Sequence, residues 1–332
     1  MIKRTIGSLQ VSAVGLGCMN VSFGYGSADD DESAALLNTA LDAGVTFLDT
    51  AFLYGQGHNE MLLGKALSGR RKEFVLASKC GLSMEGINGR PERLKSECEQ
   101  SLVRLKTDVI DLYYLHRLDP NVPIEESVGA LADLVESGKV REIGLSEVCV
   151  ETLRKAHRVH PIAAVQSEYS LWTRTPERGV LDACDELGIA FVPFSPLGRG
   201  FLAGSAAAVN DLQDTDLRCT IARPRFETEA FLHNSMLLED FSQIAKVQQC
   251  TMAQLALAWL LAQQNQTLVP IPGTRQVSHL LENLAASDIK LDSDVEHQLN
   301  ATINESTVKG TRYTAARMAE TDAERDPMDT YP

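Results

Sequence analysis

The chain has no C-x-x-C pair and an odd number of cysteines, seven in 332 residues (18, 80, 98, 149, 184, 219 and 250). A disulfide framework or a structural zinc site needs paired spacing, so neither is expected, no metal is assigned, and the cysteines read as small core hydrophobes. Long apolar runs are also missing. The most apolar stretch, Met252 to Ala262, is broken by Gln254 and is far shorter than the roughly 20 residues of a membrane-crossing helix. The opening Met1-Ile-Lys-Arg runs into alternating residues with no apolar signal segment, which makes the cytoplasm the expected compartment. Basic residues are outnumbered, 31 Lys and Arg against 45 Asp and Glu. The net charge of −14 has the wrong sign for a broad grip on nucleic acid or an anionic membrane, so neither is an expected partner. Finally, Gly15-Leu-Gly17-Cys-Met-Asn20 lacks the third glycine of G-x-G-x-x-G, and Thr39 to Asp42, where a ribose-binding acid would fall, reads as helix interior. Both absences argue against an open dinucleotide-binding sheet.

What is present is an alternation of strand-like and helix-like apolar blocks at 44% hydrophobic and 23% charged residues, ordinary for a globular chain. Short β-forming runs occur at Val11–Leu16, Val45–Leu48, Phe74–Ala77, Val109–Leu115, Val140–Leu145, Ala163–Gln166, Ala190–Phe194 and Thr267–Ile271. Between them lie helix-period segments. Leu94, Cys98, Leu102 and Leu105 line one face, as do Ile124, Val128, Leu131 and Val135, and Gly138 and Gly188 supply stops before the next strands. Eight strands joined by helical crossovers in this length predict a single α/β domain over 1–332, a (β/α)8 TIM barrel. Lys3–Ile6, Gly7-Ser8 and Leu9–Val14 predict an N-terminal β-hairpin plugging its bottom. Ser195 to about Glu239 is too long for an ordinary connection and reads as an extended functional loop at the C-terminal face. Residues 304–332 form a polar tail, a further candidate for the substrate rim.

A barrel collects its chemistry at the C-terminal ends of its strands. Those ends are polar and unlike: Asp49, Lys79, His116, Ser146, Gln166 and Ser195. Asp49 and Lys79, with Tyr54 a few residues beyond, suggest a proton device. A tyrosine titrates near 10, too weak an acid to protonate an alkoxide efficiently at neutral pH. A neighbouring Lys79 would lower that value, and a buried lysine would itself need Asp49 to stay charged. His116 would then orient a carbonyl oxygen on which negative charge develops.

At this point the sequence resembles the aldo-keto reductase family, over nearly the whole chain up to about residue 313. The matching segments are Gly44-Val-Thr-Phe-Leu-Asp-Thr-Ala-Phe-Leu-Tyr-Gly55, Ala77-Ser-Lys79, Leu112-Tyr-Tyr-Leu-His116, Gly144-Leu-Ser-Glu147, Gln166-Ser-Glu-Tyr-Ser170, Pro193-Phe-Ser-Pro-Leu-Gly-Arg-Gly200 and Pro270-Ile-Pro-Gly-Thr-Arg275 with Glu282-Asn283. The Gly-Leu-Ser-Glu and Ile-Pro-Gly-Thr-Arg motifs resemble the microbial and plant branch. The resemblance implies an NADPH-dependent oxidoreductase that interconverts aldehydes or ketones and alcohols, with a catalytic tetrad on Asp49, Tyr54, Lys79 and His116. It also implies cofactor contacts from Gly17, Met19 and Asp49. Ser146 and Gln166 would hold the nicotinamide carboxamide, Phe194 would stack on the ring, and Ser195, Pro196, Leu197, Gly198, Arg199 and Gly200 would lie along the pyrophosphate. Gly273, Thr274 and Arg275 would meet the adenosine 2′-phosphate ahead of a helix over 277–286, with Glu282 and Asn283 near the adenine.

Glu147 departs from the asparagine many members carry beside the serine. An asparagine both donates and accepts, whereas an ionised glutamate only accepts. Other members resemble this chain in carrying Ser-Glu, so Glu147 reads as a subfamily mark. For a small-molecule carbonyl substrate the candidate aromatics are Phe23, Tyr25, Phe52 and Trp172; the substrate's identity and the oligomeric state are not legible. Two other readings compete. Lys79 would be the nucleophile of a Schiff-base aldolase or lyase if its pKa were low. The chain would be a cofactor-sensing binding protein if turnover were slow.

Overall fold

The computed structural model describes residues 2–206, 210, 212–263 and 267–325. Strands β1 (Lys3–Ile6) and β2 (Leu9–Ser12) form the expected antiparallel hairpin, with Ile6 opposite Leu9 and Gly7 taking the left-handed φ of 55° that a two-residue turn demands. Val11 and Ser12 therefore belong to the hairpin. The first barrel strand, β3, is only Leu16–Gly17.

The repeating units follow: α1 (Asp30–Asp42), β4 (Phe47–Asp49), α2 (His58–Ala66), β5 (Val75–Cys80), a small hairpin β6–β7 (Leu82–Ser83 and Gly86–Ile87) and α3 (Pro91–Leu105). Then come β8 (Ile110–Leu115), α4 (Ile124–Glu136), β9 (Val140–Ser146), α5 (Val150–Val159), β10 (Ala164–Glu168), α6 (Val180–Leu187) and β11 (Ala190–Phe194). Seven strands stand side by side in the order β3-β4-β5-β8-β9-β10-β11, every neighbouring pair parallel. The predicted eighth strand, Thr267–Ile271, closes the ring without a full ladder. Val269 and Ile271 donate to Phe191 and Pro193 on one side (2.9 and 3.1 Å), while the carbonyls of Pro270 and Pro272 accept from Gly15 and Gly17 on the other (3.0 and 3.4 Å). Each proline has no N–H to offer β3, so half of that edge's ladder bonds cannot form. The result is a nearly closed (β/α)8 barrel.

Side-chain parity divides the strands cleanly. Leu112 and Tyr114 of β8, Phe47 of β4, Ala77 of β5, Ala164 of β10 and Val192 of β11 point into the barrel, where Ile6, Leu9 and Val11 of the hairpin join them as a plug. Leu48, Leu76, Tyr113, Leu145, Val165 and Phe191 point outward against the helices. On α3 the four residues Leu94, Cys98, Leu102 and Leu105 are all buried against that layer. Truncating one of the leucines to alanine would cost about 2–5 kcal/mol.

The long connection is shorter than expected. It ends at Glu227, and Thr228–Val247 is helix α7. Phe231, Leu237, Leu238, Phe241, Ile244 and Ala245 give it a buried stripe at helical spacing. Exposed Leu232 and Met236 interrupt the polar face and obscure that stripe in the sequence. Helices α8 (Met252–Ala262), α9 (Val277–Ala285) and α10 (Ser293–Thr302) complete the wall, α8 opening on a Thr251/Gln254 capping box. Among the described residues no helix is long and apolar enough to cross a membrane. A last short helix, α11 (Ala315–Ala319), belongs to the tail, of which 326–332 lie outside the described residues.

Candidate active site

Inward parity continues beyond the core layer and selects the site. Two residues past Phe47 comes Asp49; two past Ala77, Lys79; two past Tyr114, His116; two past Gly144, Ser146; two past Ala164, Gln166; two past Val192, Phe194. Six side chains from six neighbouring strands thus face one another in the top layer of the barrel. Tyr54 reaches the same point from the loop after β4. That loop is held by Thr50, whose hydroxyl donates to Asn59 (2.5 Å), and by Asn59, which donates to the Cys18 carbonyl (2.7 Å).

Lys79 Nζ is the centre of the cluster. It donates to Asp49 Oδ1 at 2.5 Å, to the Thr50 carbonyl at 2.9 Å and to Tyr54 Oη at 3.4 Å. The Tyr54 and His116 rings meet edge to face with centroids 6.2 Å apart. Asp49 spends its second oxygen on Gln166, whose amide donates at 2.8 Å. The side chains of Lys79 and Asp49 are 0% and 2% exposed, so the ion pair is desolvated.

Charge follows from this geometry. Burial alone would lower the Lys79 ammonium, but Asp49 and Tyr54 outweigh it and hold its pKa above the ordinary 10.5. Tyr54 differs from the sequence expectation of a lowered phenol. Burial pushes it above its ordinary value, and Lys79 pulls it down only in part. The phenol therefore keeps its proton at neutral pH, and Lys79 is placed to stabilise the anion left when it goes. Burial, together with Arg117 and Lys79, drives His116 well below its usual 6.5, so the ring is neutral. Its Nδ1 is buried without a partner among the described residues, which favours the tautomer carrying the proton on Nε2.

A cavity of about 880 Å³ opens over the cluster. Of the sequence candidates, Asp49, Tyr54, His116, Ser146, Gln166 and Phe194 form its floor. Ser195, Pro196, Leu197, Arg199 and Gly200 line one wall, and Gly17, Met19, Phe23 and Tyr25 another. Gly273, Thr274, Arg275, Glu282 and Asn283 line the end near the start of α9. Lys79 lies behind this surface. Gly17 is required by close approach, since a Cβ there would stand 2.7 Å from the Ile271 carbonyl oxygen.

Three further candidates do not line the cavity. Phe52 packs under the Arg104 guanidinium, its ring centroid 4.8 Å from the guanidinium carbon. Trp172 is core: it stacks on Phe201 at 3.9 Å, and Arg225 covers it at 5.0 Å. Gly198 serves that packing, because a Cβ there would meet the Trp172 ring at 2.7 Å. Arg199 lines the cavity, but its charge is already matched within the protein. Its guanidinium is paired with Glu168 at 2.6 Å, both side chains nearly inaccessible. Burial raises the Glu168 carboxyl, but Arg199, Arg312 and Arg225 outweigh it and hold it below the ordinary range.

The tail explains Glu147. Its backbone is left-handed (φ 59°), and the fully buried carboxylate accepts from the Arg312 guanidinium and from the Glu168 amide (2.9 Å). Arg312 also bonds Glu324, while the Glu147 carbonyl accepts from Ala323 N (3.0 Å) and Asp322 caps the Cys149 amide at the start of α5 (2.9 Å). The residue that departs from asparagine is an anchor for the C-terminal segment. Through it Tyr313, Arg317, Glu320 and Thr321 reach the cavity wall. Arg218 and these tail residues fall in the long loop and the polar tail that the sequence marks as functional segments, though it does not single out Arg218, Arg317, Glu320 or Thr321 there; Arg117 is the residue it misses, with only its place beside a strand-end histidine as a signal.

Comparison with known proteins agrees with this geometry. The model of the Aldo/keto reductase family matches residues 13–304. A probable aldo-keto reductase 1 from Glycine max is 43% identical over 319 residues, covering 94% of this chain and 91% of that protein. Among solved structures, a glycerol dehydrogenase from Gluconobacter oxydans superposes with a TM-score of 0.82 at 25% identity, covering 99% of each chain. An aldo/keto reductase from Klebsiella pneumoniae in complex with NADP and acetate gives 0.74 at 27% identity, over 94% of this chain and 99% of that one. With the Asp49, Tyr54, Lys79 and His116 cluster seated at the mouth of a parallel barrel, the chain belongs to the aldo-keto reductase family of NAD(P)H-dependent oxidoreductases that act on carbonyl groups.

Proposed function

We propose that the protein is an NADPH-dependent reductase of aldehydes or ketones, working reversibly on the corresponding alcohols, with Tyr54 as its general acid. The observation that carries this reading is the placement of one buried lysine against both a carboxylate and a phenol, Lys79 to Asp49 at 2.5 Å and to Tyr54 at 3.4 Å. The chemistry of the cavity fits a dinucleotide. Ser146 and Gln166 offer a hydroxyl and an amide oxygen suited to a carboxamide, Phe194 offers an aromatic face, and Gly200 (φ 92°) leaves backbone open along the wall. Arg275, paired with no carboxylate among the described residues and held by the Ser27 carbonyl at 2.5 Å, stands just ahead of the first turn of α9, a suitable place for a 2′-phosphate. When bound, the reduced nicotinamide would supply a hydride to the carbonyl carbon.

The chain's own residues do the rest. His116 donates from Nε2 to the carbonyl oxygen and polarises it. Tyr54 passes its proton to that oxygen as negative charge builds there, and Lys79 stabilises the phenolate left behind. Asp49 keeps Lys79 charged in a dry site. We place the described tail at the substrate rim with Tyr25 and Phe23, and the protein in the cytoplasm, in keeping with seven free cysteines.

The Schiff-base reading requires a neutral, accessible lysine, and Lys79 is neither. Titration of the protein with NADPH and NADH, followed by a panel of carbonyls, tests the proposal. Tight NADPH binding with oxidation of the cofactor is expected. Absence of binding by either nucleotide would overturn it, and borohydride trapping of substrate on Lys79 would support the lyase instead. Tight binding with slow turnover of every carbonyl would favour the cofactor-sensing role.

A further inference from the structure

Five arginines line the cavity, and they are not equivalent. Arg199 is matched to Glu168 (2.6 Å), Arg218 to Asp216 (2.7 Å) and Arg317 to Glu320 (2.5 Å). Among the described residues, Arg275 and Arg117 have no carboxylate partner. Arg275 stands at the α9 end, where the proposed function uses it. Arg117 stands at the other end, immediately after His116, and no part of the mechanism above requires its charge.

Arg117 is held rather than free. Its Nη1 donates to the His116 carbonyl at 2.6 Å and to Ser146 Oγ at 3.2 Å. Those two bonds use both hydrogens of Nη1 and leave the Nε–Nη2 edge without a protein acceptor among the described residues. That edge is the planar fork that takes a carboxylate through two parallel hydrogen bonds. Its bonds to His116 and Ser146, which line the same cavity as Tyr54, place it beside the reacting atoms. In a chain of net charge −14, an oriented and unmatched guanidinium beside the tetrad is a local anion site.

We propose that Arg117 is a specificity-determining residue for oxo acids, holding through its Nε–Nη2 edge a carboxylate that lies a few bonds from the carbonyl the tetrad reduces. This rests on the reductase reading of the same cavity and adds the substrate class to it. A bidentate pair with a carboxylate orients the carbonyl as well as attracting it, so an uncharged analogue loses affinity and alignment together.

The test compares oxo acids of three to five carbons with their methyl esters on the full-length protein saturated with NADPH. The wild type is expected to favour acid over ester at least tenfold in kcat/KM, mostly through KM. Arg117→Met should bring that ratio to near one, and Arg117→Lys, which keeps the charge without the fork, should leave an intermediate ratio. A wild-type ratio near one overturns the proposal, and this arm needs no variant to fold. So does an Arg117→Met ratio equal to the wild type's while both rates fall, since Arg117 would then act only by positioning Ser146. Binding of the acids and esters to the NADPH-loaded protein, read by nicotinamide fluorescence, is independent of turnover. Selective binding of acids with no carbonyl reduced would sink the reductase reading and leave the anion site standing. Reduction without charge preference would do the reverse.

Discussion

Glu147 and Arg312, 165 residues apart in sequence, form an ion pair buried at the mouth of the barrel, their side chains 0% and 3% exposed. The pair ties the residue after a strand-end serine to the C-terminal segment. Removing one partner strands the other charge in a dry site, which typically costs about 3–5 kcal/mol. Arg312→Met should therefore lower the denaturant midpoint by that equivalent, and adding Glu147→Gln should recover part of the loss. An unchanged midpoint in the single variant would show that the tail contributes nothing to the barrel's stability.

Tyr54→Phe removes the proposed general acid and leaves the cavity's shape. Turnover should fall by roughly 10²- to 10⁴-fold, the usual contribution of general acid catalysis, while NADPH affinity stays within about threefold. Fluorescence titration beside steady-state kinetics separates the two effects. Parallel loss of both would contradict the assigned role.

Among the described residues Arg275 has no carboxylate partner, and it is exposed at the α9 end of the cavity. A charge-assisted hydrogen bond to a phosphate is worth about 1.5–3 kcal/mol, so Arg275→Ala should weaken NADPH binding by roughly 10- to 100-fold and barely change NADH binding. Equal effects on both nucleotides would place the 2′-phosphate elsewhere.

His116 is held well below 6.5 by burial and by the charges of Arg117 and Lys79, whereas in the unfolded chain it titrates near its ordinary value. The unfolded state then binds the extra proton first as pH falls. The stability of the neutral, buried ring is fully present above about pH 6.5 and is lost progressively below it. His116→Asn should lose less Tm than the wild type between pH 7.5 and 5.5. A larger loss in the variant would mean that the ring is charged in the folded protein.

Most of the architecture could be read before any tertiary contact was known. Alternating apolar blocks located the strands, and residues of unlike chemistry after Leu48, Ser78 and Leu115 located Asp49, Lys79 and His116. Two local signals misled. Pro270, inside the run that reads as a strand, and Pro272, just beyond it, cannot complete a ladder toward β3. Exposed Leu232 and Met236 hid the stripe of α7 inside what looked like a loop.

Period-two alternation and the C-terminal placement of polar residues suffice for the barrel and its tetrad, because both depend on chain order and side-chain parity, which are local. Partner choice is not local. Whether an arginine is quenched or available depends on which carboxylate the fold brings to it: Glu168 to Arg199 across 31 residues, Glu147 to Arg312 across 165, and none to Arg117 among the described residues. Composition counts every charge alike, and only packing at the barrel mouth decides which remain able to bind something else.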